Sequence, residues 1–154
     1  MEKIIKLFKK LILDTIEQNE KINGVHLLEI LKYILIENLK NVDNKVIFDA
    51  FKDINKDDFL EIFENKSIIS RIYFYSDSFA KIKSKYEEDT LLIIVDGYKS
   101  VSIIDDNIKE KNNLQIMKNM GIVLCKNTIT SEKTSSNSII LNIMSKNIDL
   151  NIEK

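Results

Sequence analysis

The first third of the chain carries apolar residues at steps of three and four, which is the spacing of one face of an α-helix. This pattern predicts a first helix over residues 2–18 and, after the break at Asn23-Gly24, a second helix from about residue 25 to residue 39. The second helix is apolar over more than half of its circumference. It is therefore expected to lie at the centre of the helical region.

Two shorter apolar segments extend the helical pattern. A third helix is predicted over residues 45–52, and a fourth is predicted to begin at the N-cap residue Asn55 and to end near Asn65. The buried side of the fourth helix would be formed by Phe59, Leu60, Ile62 and Phe63. The sequence thus predicts a helical domain, a bundle of about four helices, over residues 1–66.

The pattern changes after Ser67, where apolar and polar residues begin to alternate as they do in half-buried β-strands. Residues 80–86 place three lysines on one face, and residues 91–95 form an uninterrupted apolar run that ends at Asp96-Gly97. About eight or nine short strands of this kind, roughly 8–12 residues apart, are typical of a sandwich or small barrel. The fold class is therefore α+β, with a β-rich domain over residues 67–154.

Parts of the second half are open to a different interpretation. Residues 78–89 and 107–120 also fit helical spacing loosely, so an α/β arrangement is the alternative to an all-β half. The regular alternation of lysines favours a strand in the first of these segments. Residues 128–138 are polar and predict a loop, and residues 148–152 alternate cleanly and predict a last strand.

Composition narrows the cellular location and the kind of partner. The formal net charge is −1, so no excess of positive charge favours nucleic acid. Cys125 is the only cysteine, which excludes an intrachain disulfide, and lysines interrupt the apolar N-terminus, which argues against a signal peptide. No apolar run reaches the ~18–20 residues of a membrane span. A cytoplasmic protein is predicted, and the Lys-, Ile- and Asn-rich composition without proline suggests a bacterial or phage source.

Residues 86–103, an apolar strand with a turn glycine and a return strand, resemble the first conserved stretch of the cupins. Residues 114–130 and 138–143 resemble the second stretch of that family. The similarity covers about residues 68–145 and implies a double-sheet jelly roll.

Metal-dependent cupins carry a His-x-His pair, a glutamate a few residues later and a histidine in the second stretch. In this chain the corresponding positions fall near Ser84 and Tyr86, near Thr90 and near Thr130, and no histidine follows His26. The resemblance therefore implies a barrel whose metal ligands are absent. Its inner face, including Ser84, Tyr86 and Thr90, would bind a small ligand or be filled by packing.

No motif in the sequence predicts catalytic residues, metal ligands or a cofactor. His26 is the only histidine, and it has no partner at ligand spacing. The acidic clusters at residues 87–89 and 105–106 place neighbouring carboxylates on opposite faces of a strand or in a solvated turn. The favoured function is therefore that of a non-enzymatic binding or regulatory protein, which binds a small molecule or a protein partner or associates with itself.

Three alternatives remain open at the level of sequence. One is an enzyme whose polar site is assembled in space from residues such as Tyr86, Lys85 and Asp89. A second is a phage- or plasmid-encoded inhibitor that acts by covering the surface of a partner protein. The third concerns the first helix, whose lysines flank an apolar stripe. Such a helix can lie on a membrane surface, although packing into a core is favoured.

Overall fold

The described residues form two helices followed by nine β-strands. This computed structural model describes residues 2–22, 24–43, 45–46, 59–104 and 112–146. The helices are α1 (Glu2–Gln18) and α2 (Gly24–Leu39). The strands are β1 (Phe59–Glu64), β2 (Ile68–Tyr75), β3 (Phe79–Lys85), β4 (Asp89–Asp96), β5 (Lys99–Ile103), β6 (Asn112–Ile116), β7 (Gly121–Leu124), β8 (Ile129–Thr134) and β9 (Ser138–Ser145).

The strands make two antiparallel sheets that pack face to face. The first sheet has the order β1-β2-β9-β4-β7, and the second has the order β3-β8-β5-β6. The strands β2, β9, β4 and β7 of the first sheet and β3, β8, β5 and β6 of the second have the order of a jelly roll built from two Greek keys. The strand β1 is an addition at the edge of the first sheet, where it pairs with β2.

Both helices cover the outer face of the first sheet. α1 buries Ile4, Phe8 and Ile12, and α2 buries five leucines, all in one cluster with the central strands β4 and β9. Burial of one such side chain stabilises the fold by about 1.5–3 kcal/mol. The apolar stripe of α1 thus faces the protein core. No helix in the described ranges is long and apolar enough to cross a membrane.

The central strand β4 explains why one segment is apolar without interruption. Leu91, Ile93 and Val95 point to the helices, whereas Leu92 and Ile94 point to the second sheet. A strand that is covered on both faces needs apolar residues at every position. The strand predicted over residues 91–95 is confirmed within β4, and the strand predicted over residues 80–86 is confirmed as β3, which ends one residue earlier.

The edge strand β3 of the second sheet is exposed along most of its length, and Ile82 is 87% exposed. Its lysines alternate along the strand, and its pairing with β8 shifts register between Lys81 and Ser84. Charged residues and bulges are the features by which edge strands avoid pairing with other chains. The alternating lysines therefore mark a protected edge.

The predicted bundle of about four helices is wrong. The described residues contain α1 and α2, close to the predicted spans, but the described part of the predicted fourth helix forms strand β1. The register of β1 against β2 shifts between Glu61 and Phe63, which leaves Ile62 as an extra residue in a β-bulge. The bulge interrupts the alternation, so the apolar residues fall at helical spacing.

The predicted loop over residues 128–138 is also wrong, because residues 129–134 form β8 in the middle of the second sheet. Residues 112–116 form β6, so the strand interpretation holds for the described part of 107–120. Most of the predicted third helix, residues 47–52, and the predicted last strand, residues 148–152, lie outside the described residues. The domain boundary at residues 66 and 67 stays a prediction, and β1 lies on its helical side.

Candidate binding cavity

A cavity of about 280 Å³ lies between the two sheets, on the side where β2 and β3 face each other. Its walls come from β2, β4 and β9 of the first sheet and from β3, β5 and β8 of the second. The rest of the space between the sheets is filled by aliphatic side chains, including Ile94, Val101 and Ile116. Ligand pockets commonly enclose about 300–1,000 Å³, so this cavity lies at the lower end of that range and suits only a compact molecule.

A buried ion pair forms the polar wall of the cavity on the second sheet. Lys99 Nζ on β5 lies 2.7 Å from Glu132 Oε1 on β8, and the two side chains are only 9% and 3% exposed. The Tyr86 hydroxyl donates a hydrogen bond to Glu132 Oε2 over 2.7 Å, and the Thr130 hydroxyl donates to the same oxygen. Both carboxylate oxygens of Glu132 are therefore engaged.

The environment fixes the protonation of this network. Burial acts to raise the pKa of Glu132, but Lys99 and the hydrogen bonds from Thr130 and Tyr86 outweigh it and hold the pKa below its ordinary value. Burial, reinforced by the charge of Glu132, raises the pKa of the Tyr86 phenol far above its ordinary value. At neutral pH, Glu132 is a carboxylate and Tyr86 is a neutral hydrogen-bond donor.

On the first sheet, the cavity is lined by a polar atom that the fold does not satisfy. The Oδ1 atom of Asn142 on β9 is buried and has no hydrogen-bond partner among the described residues. Arg71 lies directly opposite on β2, and its buried Nε atom also has no hydrogen-bond partner among the described residues. A buried polar group without a partner costs about 1–3 kcal/mol, so such groups are uncommon in folded proteins.

Four aromatic rings form a row beside the cavity, and the middle two line it. Successive ring centroids of Phe59, Tyr73, Tyr75 and Phe79 are 5.4, 6.2 and 6.1 Å apart. The Arg71 guanidinium lies 4.5 Å from the centre of the Phe59 ring. The row thus adds a large apolar and π surface to a site whose inner wall is polar.

The structure brings together the residues that the sequence singled out. Ser84, Tyr86 and Thr90 all line the cavity. Ser84 pairs with Thr130 across β3 and β8, and Thr90 donates a hydrogen bond to the backbone oxygen of Glu88. The three residues Lys99, Glu132 and Asn142 were missed. A signal in the sequence exists for Glu132, because Thr130, Glu132 and Thr134 alternate along a segment that was interpreted as a loop.

Only part of the alternative catalytic set comes together, because Lys85 and Tyr86 line the cavity whereas Asp89 does not. Asp89 Oδ1 accepts a hydrogen bond from the backbone N–H of Lys126 over 2.7 Å, whereas the Tyr86 hydroxyl is bound to Glu132. Lys85 is exposed at the end of β3. His26 is exposed on α2, on the other side of the first sheet from the cavity.

The donor atoms around the cavity do not fit a transition metal. The positions that carry ligands in metal-dependent cupins hold the hydroxyl groups of Ser84, Tyr86, Thr90 and Thr130. Three glutamates, Glu87, Glu88 and Glu132, line the cavity. The buried one, Glu132, is neutralised by Lys99. Nowhere in the described ranges do three or more His, Cys, Asp or Glu side chains come together as a metal site. Such a metal prefers imidazole, thiolate or free carboxylate ligands.

No protein-family model matches the chain, and no curated protein sequence does. Among solved structures, it is similar to a cupin-2 domain-containing protein from Shewanella frigidimarina, at 14% identity and a TM-score of 0.50, over 71% of this chain and 98% of that one. A protein of unknown function from Rhizobium leguminosarum bv. viciae gives 10% identity and a TM-score of 0.50, over 67% and 93%.

A cupin superfamily protein from Desulfitobacterium hafniense gives 14% identity and a TM-score of 0.49, over 64% of this chain and 86% of that one. Identities this low show the fold and not the activity. The strands β2–β9 span the residues for which the sequence predicted the resemblance. The β sandwich of this chain therefore has the cupin-like jelly-roll fold.

Proposed function

We propose that this protein binds a small polar molecule in the cavity between its sheets and does not convert it chemically. The observation that carries the proposal is the unsatisfied Oδ1 atom of Asn142 on the cavity wall. A ligand that donates a hydrogen bond to this atom would remove a cost that the free protein bears. The free energy gained in this way favours the bound state.

The lining of the cavity describes the ligand. Leu92, Ile140 and Met144 offer apolar surface, and Tyr73 and Tyr75 offer aromatic rings. Polar groups face the same space from Lys99, Ser84 and Asn142. Sites of this kind hold small molecules that have one apolar face and a few hydrogen-bonding groups. The volume of about 280 Å³ limits the ligand to a compact molecule.

The same groups are poorly suited to acid–base catalysis. A general acid or base works best with a pKa near the operating pH. Glu132 has a lowered pKa and no free oxygen, and Tyr86 has a strongly raised pKa. Neither group is poised to exchange a proton with a ligand near neutral pH. These protonation states support binding over catalysis.

A protein partner, self-association, a cytoplasmic location and a role as a phage or plasmid inhibitor stay predictions. The helices use their apolar stripes against the first sheet. Contact with a partner through the helical layer would therefore use outward-facing residues such as Tyr33, which is 70% exposed on α2. This surface is a weaker candidate than the cavity because it offers few apolar groups.

The proposal is tested with a panel of sugars, sugar acids, nucleosides, amino acids and small carboxylates, screened by ligand-observed NMR. Positive compounds are then titrated against two matched variants. Ser84→Phe fills the cavity and is expected to abolish binding. Ser131→Phe places the same ring on the opposite face of β8 and is expected to leave binding unchanged.

A third variant separates a binding role for Asn142 from a structural one. Asn142→Leu removes the unsatisfied oxygen, so it is expected to raise the free energy of unfolding by about 1 kcal/mol while weakening ligand binding. A variant that is less stable than the wild type would show that Asn142 serves the fold. Binding that survives Ser84→Phe, or the absence of binding by any compound of the panel, would contradict the proposed function.

A further inference from the structure

We propose that the ammonium group of Lys99 takes the place of the metal ion in this cavity and presents a fixed positive charge to an oxygen atom of the ligand. The part that concerns the ligand oxygen rests on the proposed function. The replacement of a metal ion by an ammonium group does not rest on the proposed function, and it is tested without any ligand.

The position of Lys99 carries the inference. Two residues at the cupin ligand positions, Tyr86 and Thr130, donate hydrogen bonds to one oxygen of Glu132. The other oxygen of that carboxylate lies 2.7 Å from Lys99 Nζ. The ammonium is thus separated from these two hydroxyl groups by a single carboxylate group. It is held there from β5, a strand to which the family pattern assigns no ligand.

Charge explains why the ammonium and a divalent cation exclude each other. Glu132 is ionised inside the sandwich and needs a positive partner, which Lys99 supplies. A second cation on the same carboxylate would lie within a few ångströms of the ammonium, where repulsion is strong because water is scarce. Removal of the ammonium leaves a buried carboxylate, a phenol and an alcohol around one point. These oxygen atoms suit a hard cation such as Mn²⁺.

The ammonium also has donors left for a ligand. It carries three N–H groups, and the bond to Glu132 uses one of them. Lys99 lines the cavity, so the remaining donors can meet a carbonyl, hydroxyl or carboxylate oxygen of a bound molecule. The charge would polarise and orient that oxygen as a metal ion does. An ammonium group, however, brings no open coordination position and no metal-bound water.

The test is a Mn²⁺ titration of the full chain, followed by the EPR signal of free Mn²⁺ and by the melting temperature. Lys99→Met removes the charge but keeps a side chain of similar length. We expect it to bind one Mn²⁺ more than about tenfold tighter than the wild type and to melt at a higher temperature when Mn²⁺ is present. The control is Lys81→Met, which alters a lysine that lines the cavity but is exposed, and it should behave as the wild type does.

Two more variants remove ambiguity. Lys99→Met combined with Glu132→Gln should lose the gain in Mn²⁺ binding, because the neutral amide no longer attracts the cation. Lys99→His supplies an imidazole ligand and should bind Mn²⁺ at least as well as Lys99→Met does. The inference is overturned if the wild type binds Mn²⁺ as tightly as these single variants. It is also overturned if both single variants fail to bind Mn²⁺, including the case in which they stay unfolded in millimolar Mn²⁺.

Discussion

The protein has two interior layers, one between the helices and the first sheet and one between the two sheets. They differ in what fills them. Between the helices and the first sheet, aliphatic and aromatic side chains form one buried cluster. Between the two sheets, aliphatic packing fills one part of the space, and a buried ion pair and a cavity occupy the other. The helix–sheet layer therefore supplies stability, and the sheet–sheet layer supplies the site. A protein organised in this way can keep polar groups inside without losing its fold.

The largest effect on stability is expected when the buried ion pair between Lys99 and Glu132 is broken. Glu132→Ala leaves the Lys99 ammonium buried without a partner, which should lower the free energy of unfolding by about 3–5 kcal/mol. Chemical denaturation followed by circular dichroism measures the change. The control is Glu64→Ala, since Glu64 lies at the same 2.7 Å from Lys146 but in solvent. An exposed ion pair contributes little to the free energy of unfolding. Equal losses of stability in the two variants would therefore contradict the importance of burial for the Lys99–Glu132 pair.

A slightly smaller effect is expected in the helix–sheet layer. Leu31 on α2 is fully buried, and Leu31→Ala should lower the free energy of unfolding by about 2–5 kcal/mol through the lost transfer energy and the cavity left behind. Ligand binding in the other layer should persist at temperatures where this variant is folded. Leu114→Ala, at an exposed position on β6, is the matched control and should change stability little. A loss of binding in folded Leu31→Ala would show that the layers are not independent.

Two buried serines test how well each layer satisfies its polar groups. The hydroxyl of Ser70 faces the helix–sheet layer and has no partner among the described residues, so Ser70→Ala should raise the free energy of unfolding by about 1 kcal/mol. Ser138 is equally buried, but its hydroxyl donates to the backbone oxygen of Ser135 over 2.6 Å. Ser138→Ala should therefore destabilise the fold by about 1 kcal/mol. Changes of the same sign in both variants would refute this distinction.

The smallest effect is expected in the pH dependence of stability. The pKa of Glu132 is lower in the folded state than in the unfolded chain, so the unfolded chain binds more protons in acid. This contribution is complete above the unfolded value of about 4.3 and is lost as the pH falls through the folded value. The free energies of unfolding of the wild type and of Glu132→Gln, measured by denaturation at a series of pH values, should approach each other as the pH falls. Parallel curves would mean that Glu132 does not contribute to the acid sensitivity.

The sequence predicted the elements whose two faces differ clearly or whose faces are both apolar. α1 and α2 have apolar stripes at helical spacing, and β4 is apolar throughout because both of its faces are covered. β1 was mistaken for a helix because the bulge at Ile62 puts apolar residues at helical spacing. β8 was mistaken for a loop because its inward face carries Thr130, Glu132 and Thr134.

The candidate site was predicted only in part. Ser84, Tyr86 and Thr90 were identified from the alignment of strands with a familiar pattern, and they do line the cavity. Lys99 and Glu132 could not be paired from the sequence, because they lie on different strands that become neighbours only when β5 pairs with β8. Long-range pairing of this kind depends on the topology of the sheet. A local pattern of residues does not determine which distant strands pair.

The place of β9 in the first sheet affects how the chain folds as it is synthesised. β9 lies between β2 and β4, so β2 has only β1 and β4 has only β7 as a neighbour until residues 138–145 have left the ribosome. The apolar strand β4 is made much earlier and must wait with an unpaired edge. Such edges attract other chains and chaperones. The first sheet is therefore completed only after β9 has been made, and a nascent chain that stalls before Ser138 is expected to aggregate.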